Sequence, residues 1–119
     1  MDRAQQIENI IIGSVLNDYD EYWPSVRFCI TADMLSDDMN KALFQKMREG
    51  KTDIVTLTSG MPTDDLLKVF DLAAYNDFRT KKCLYNEDQF LFSDSPKYTR
   101  VSFEDYINQF VKTYFNGKK

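Results

Sequence analysis

Histidine is missing from all 119 residues. Its absence removes the Ser-His-Asp and Cys-His nucleophile systems, histidine metal sites and any histidine pH switch. Cysteine is scarce. Cys29 and Cys83 stand far apart in sequence, make no disulfide framework and read as reduced thiols. A zinc site on two cysteines without histidine would need two carboxylates, an uncommon set. Long apolar runs are missing as well. Asp2 and Glu8 interrupt the N-terminal stretch, the run Ile10-Ile11-Ile12 is too short for the apolar region of a signal peptide, and nothing approaches the ~20 apolar residues that span a bilayer. The expected location is the cytoplasm, with no membrane contact. Positive charge is in deficit: 15 Lys and Arg against 19 Asp and Glu leave a formal net charge of −4. A dedicated nucleic-acid binder presents a net basic surface instead.

What is present is the composition of an ordinary globular domain. The hydrophobic set is 43% and the charged set 29%, so a chain of this length can build a core without metal or disulfide staples. The pattern predicts a mostly all-α fold, one compact helical domain over residues 1–119 with five or six helices and room for one small β-hairpin near residues 89–101. Ile7, Ile10, Ile11 and Val15 fall at helical spacing in residues 2–16, with Asp2 as cap and Ile12 and Leu16 widening the stripe. Gly13 interrupts this helix at a propensity cost of about 1 kcal/mol against alanine, which points to close helix packing. A polar break over residues 17–21 precedes a short helix with Pro24 in its first turn and Trp23, Val26, Phe28 and Ile30 toward the core. Ser36 is the expected cap of the next helix, with Met39, Leu43, Phe44 and Met47 as its apolar face and Gly50 as its C-terminal stop.

Residues 52–57 form a β-branched run that reads as an extended connector. Thr63 is the expected cap of a helix whose apolar side is Leu66, Phe70 and Ala73, widened by Leu67 and Ala74. The last helix is capped by Ser102, carries the stripe Phe103, Ile107, Phe110, Val111 and Tyr114, and stops at Gly117.

One stretch carries a family likeness. The segment Glu8-Asn9-Ile10-Ile11-Ile12-Gly13-Ser14-Val15-Leu16, the helix of residues 37–49 with Gly50 behind it, and the string Asp53-Ile54-Val55-Thr56-Leu57 together resemble the N-terminal domain of DnaB-type replicative helicases. The Asp-apolar-Val-Thr-Leu string is the most specific part. In it Asp53 is suited to bond nearby backbone N–H groups while Ile54, Val55 and Leu57 anchor the connector. The likeness spans residues 7–57; residues 1–75 are the collar-like part and 76–119 a divergent remainder. It departs from the family in lacking a histidine near the start of the 36–49 helix.

The resemblance implies a non-catalytic module. In that family the domain forms the collar of the hexameric helicase, pairs with a neighbour and contacts primase. The expected partners are therefore a replicative helicase or primase, with a homodimer as the expected assembly. The motif-bearing positions Gly13, Gly50, Asp53, Thr56 and Leu57 are expected to be structural. No Gly-x-x-x-x-Gly-Lys-Ser/Thr appears, so neither nucleotide hydrolysis nor a cofactor is expected.

Three other groups of residues bear on function. Asp18, Asp20 and Glu21 fail as a calcium loop, since Trp23 stands where the loop needs glycine. Asp37-Asp38 and Asp64-Asp65 open helices, where the dipole accounts for them without acid–base chemistry. Arg79, Lys81, Lys82, Lys97 and Arg100, interleaved with Tyr85, Phe90, Phe92 and Tyr98, form a local basic and aromatic patch; it suggests single-stranded nucleic acid as the alternative ligand. On the last helix, Tyr106 and Phe115 fall toward the edges of the stripe. An apolar surface wider than one face suits a second contact, so Tyr106, Phe110, Tyr114 and Phe115 are the candidate dimer or partner interface.

Overall fold

The first helix is apolar around most of its circumference, and a helix of that kind belongs in the middle of a fold. A computed structural model, describing residues 3–76 and 103–117, places it there. Helix α1 (Arg3–Asn17) packs against α2 (Tyr19–Cys29), α3 (Asp38–Arg48), α5 (Thr63–Tyr75) and α6 (Phe103–Gly117). A 3-10 turn (Ala32–Met34) joins α2 to α3, and the single turn α4 (Ile54–Leu57) joins α3 to α5. The fold is all-α: the described residues hold these six helices and no strand. Ile7, Ile10, Ile11, Ile12 and Val15 of α1 are buried with Leu43, Phe44 and Met47 of α3 in one cluster. The expected cap at Asp2, the cap at Ser102 and the hairpin at residues 89–101 lie outside the described residues.

The polar break after α1 shrinks to one residue. Asp18 ends α1 through its N–H to the Ser14 carbonyl (2.9 Å), and its carboxylate accepts the Glu21 N–H (3.3 Å), starting α2 at once. Pro24 is therefore sixth in α2 rather than in its first turn. With no N–H to give, it leaves that turn one helix hydrogen bond short, on the exposed side. The early start is stabilised by burial of Tyr22, Trp23 and Val26. Aromatic contacts carry the packing outward from there: Trp23 meets the Phe44 ring at 5.2 Å, and Tyr22 meets Phe103 of α6 at 4.6 Å. The Tyr19 hydroxyl donates to the Met47 carbonyl at 2.9 Å, and burial raises its pKa above the usual phenol value. Phe28, expected in the core, is 79% exposed and lies under the Arg27 guanidinium at 4.8 Å. It follows Arg27 on the outer side of α2, and the core turn is completed by Ile30 instead.

Helix α3 buries Leu43, Phe44 and Met47, with Met39 half-buried, as the spacing predicts. Gly50 ends it in the left-handed region at φ +94°, its N–H bonded to the Met47 carbonyl (3.0 Å). The next stretch differs from the extended connector expected of it. Residues 54–57 form a helical turn, because Asp53 supplies a cap that a β-branched run lacks by itself. Leu57 anchors the turn in the core, whereas Val55 points to solvent.

Helix α5 begins at Thr63 with Pro62 at the cap position and no side-chain capping bond, so Thr63 does not cap it. Its rotation also differs from the expected one. Val69 and Leu72 are buried, Leu66 and Ala73 are half-buried, and Leu67, Phe70 and Ala74 are exposed. Gly13 explains the rotation. A Cβ at Gly13 would stand 2.8 Å from both the Leu72 carbonyl oxygen and the Asn76 Cβ. The missing side chain is the notch into which the Leu72–Asn76 edge of α5 settles, and Asn17 Nδ2 donates across to the Ala73 carbonyl at 2.6 Å.

Candidate functional site

The most elaborated polar site joins α1 to α3. Glu8 is 1% exposed, on the face of α1 that meets the start of α3. Its Oε1 accepts the Ser36 N–H (2.7 Å) and the Ser36 hydroxyl (3.1 Å). Its Oε2 accepts the Asp37 N–H (3.2 Å) and Asn40 Nδ2 (2.8 Å). Gln5 and Asn9 close the sides: the Ser36 hydroxyl also reaches Gln5 Oε1 (2.7 Å), and Asn40 Nδ2 reaches Asn9 Oδ1 (3.1 Å). A carboxylate at this place satisfies backbone donors just ahead of a helix and complements its dipole. Asp37 stands immediately ahead of α3, its carboxylate accepting the Asn40 N–H at 3.1 Å. So Asp37 is the cap. Ser36 was the expected cap, but Glu8 draws both its N–H and its hydroxyl away from that role.

The sequence marks Glu8 only as part of the family motif. The signal that was available is a lone acid among isoleucines, on a helix whose surroundings are apolar. A buried carboxylate must have donors.

The second motif holds α4. Asp53 Oδ1 accepts the Thr56 N–H (2.9 Å), and both its oxygens accept the Thr56 hydroxyl (3.0 and 2.9 Å). These bonds from Thr56, backbone first and side chain second, hold the Asp53 carboxyl below its usual pKa. Beyond the turn, Lys46 Nζ donates to the Leu57 carbonyl (3.0 Å) and the Ser59 carbonyl (3.2 Å), tying α4 back to α3. A depressed carboxyl pKa stabilises the fold above the unfolded-state value, and that contribution is lost as pH falls through the folded-state value. Asp53→Ala should therefore be less stable than the parent at neutral pH. The gap should close as the pH falls below the carboxylate range, as read by urea unfolding across a pH series.

Of the four candidate interface residues, two belong to the core. Tyr106 is 0% exposed and Phe110 is also buried. The inward face of α6 is Phe103, Tyr106, Ile107 and Phe110, an i, i+3, i+4, i+7 set. Val111 and Tyr114 are only half-buried. The other two remain at the surface: Tyr114 and Phe115 pack edge to face at 5.3 Å, and Phe115 is exposed. Phe110 and Tyr114 border a shallow groove of about 280 Å3, completed by Ala4, Glu8, Met34, Ser36 and Thr113.

The basic patch of Arg79, Lys81, Lys82, Lys97 and Arg100 lies outside the described residues, as does Cys83. Cys29 is exposed. Asp38, Asp64 and Asp65 stand in the first turns of their helices. Among the described residues no three carboxylate or thiol side chains gather as a metal site, and no helix is long and apolar enough to cross a membrane. Compared with protein-family models, with curated proteins and with solved structures, the chain matches none.

Proposed function

We infer that this chain is a non-catalytic protein–protein interaction module of DNA replication, kin to the collar domain of replicative helicases and acting in the cytoplasm by contact with helicase or primase. The observation that supports the reading is where the motif residues fall. Glu8 pins α1 to α3, Gly13 admits α5, Gly50 turns the chain out of α3, and Asp53 starts α4. The residues that carry the resemblance are thus the ones that set successive helix junctions, and Ile10, Ile11, Val15 and Leu57 share one core. The acidic pairs have structural work in capping and opening helices, which leaves the exposed surface as the means of action. Self-association through Tyr114 and Phe115 at the end of α6 belongs to the same reading.

The test is isolation of the tagged full chain from its own cells under mild salt, followed by mass spectrometry. The expected result is a replicative helicase or primase in the eluate. An eluate free of both, under conditions that retain weak complexes, would overturn the reading.

A further inference from the structure

Helix α5 carries more apolar surface than the core takes. Val69 and Leu72 face α1, yet Leu67 is 59% exposed and Phe70 47% exposed. Leu66, Phe70 and Ala74 form an i, i+4 row, and Leu67 stands three residues before Phe70 on the same outward side. Together they make a ridge along a helix ~20 Å long, long enough to lie against a second helix over three turns. A helix apolar on two opposite sides has a second contact to make.

The border of the ridge has a sign. Asp64 and Asp71 flank Leu67, both exposed, and neither is paired with a cation among the described residues. Lys68 is the single base on α5 against Asp64, Asp65 and Asp71. Antiparallel pairing with a second copy would set this acidic flank against its own like, within a chain that is already net negative. Like charges brought together at an interface are unfavourable, whereas a basic flank would meet the acids directly.

We propose that the Leu66-Leu67-Phe70-Ala74 ridge is the docking face for a partner helix that is apolar at i, i+3 or i+4, and i+7 and carries Lys or Arg beside that stripe. This rests on the reading of the chain as an interaction module and names the surface and the chemistry of its partner.

The probe is a synthetic helical peptide with one leucine stripe flanked by lysines, compared with a counterpart bearing glutamates in place of the lysines, each titrated against the full chain. The lysine peptide should bind ~tenfold or more tightly than the glutamate peptide. Leu67→Ser with Phe70→Ser should weaken it ~tenfold or more, with the helical far-UV circular dichroism of the free chain retained. Asp64→Lys with Asp71→Lys should reverse the preference.

Equal binding of both peptides, or binding indifferent to these substitutions, would overturn the proposal. A dimer seen by light scattering and lost in the serine variant would overturn it too, by assigning the ridge to a second copy. Capture of helicase or primase undiminished in the serine variant would defeat the ridge and leave the interaction reading standing. Charge-dependent peptide binding without capture of either protein would defeat the replication reading and leave the ridge standing.

Discussion

Glu8→Ala is expected to lower the stability of the domain by roughly 2–4 kcal/mol, since it takes one acceptor from the buried Asn40 amide, which keeps its bond to Asn9, and the acceptor of the part-buried Ser36 and Asp37 N–H groups, at about 1–3 kcal/mol for a buried donor and less for the others. Some of that is recovered where water reaches Ser36, which is itself exposed. A domain of this kind has about 5–15 kcal/mol in all, so the variant should sit close to unfolding. Glu8→Gln separates charge from shape. It retains one carbonyl oxygen but turns an NH2 toward donors, and it should show roughly half the loss. Urea unfolding followed by far-UV circular dichroism measures both. A Glu8→Ala loss under about 1 kcal/mol would mean that the joint between α1 and α3 is held by apolar packing rather than by these bonds.

Gly13→Ala sets two effects of opposite sign against each other. In an open helix alanine would stabilise by about 1 kcal/mol. Here the new methyl group meets the Leu72 carbonyl oxygen and the Asn76 Cβ at 2.8 Å, and at least the carbonyl belongs to backbone that cannot swing aside. Relief requires α5 to back away from α1, which also stretches the 2.6 Å bond from Asn17 to the Ala73 carbonyl. Overpacking of this kind costs about 1–3 kcal/mol, and backbone displacement places it at the upper end. The expected net change is a destabilisation of about 2 kcal/mol, with Val69 and Leu72 partly uncovered. Chemical denaturation checks it. A stabilised Gly13→Ala protein would show that the two helices are not in close contact at this point.

These two residues also show how far the sequence alone reaches. The buried stripe of α1, the core face of α3 and the stop at Gly50 were legible, because apolar spacing and one glycine at a helix end leave little choice. Gly13 was legible as a close-packing site, though not as the notch for α5 in particular. Helix α5 departs from its expected rotation for a physical reason. Leu66, Leu67, Val69, Phe70, Leu72, Ala73 and Ala74 surround most of its circumference, so periodicity selects no face and the Gly13 contact decides the rotation.

The cap of α3 was misplaced by one residue. Ser36 and Asp37 are both good caps, and the choice between them is made by Glu8, 28 residues away in sequence from Ser36. Tyr106 falls at the edge of the expected stripe of Phe103, Ile107, Phe110, Val111 and Tyr114, yet the helix is rotated so that Phe103, packed on Tyr22 of α2, and Tyr106 both face the core. The candidate site divides in the same way. Asp53 bonds the Thr56 N–H, in line with its expected reach to nearby backbone N–H groups, while of the four expected interface residues Tyr106 and Phe110 are buried and Tyr114 and Phe115 stay at the surface.

The helix junctions assign structural work to the motif residues, and the proposed function makes contact with another protein the domain's means of action. Sedimentation of the purified full chain, alone and mixed with the purified replicative helicase or primase of its own cells, tests that claim most directly. The account predicts a saturable complex of fixed stoichiometry with one of the two at micromolar concentration. Sedimentation of the chain unchanged by either protein would contradict it.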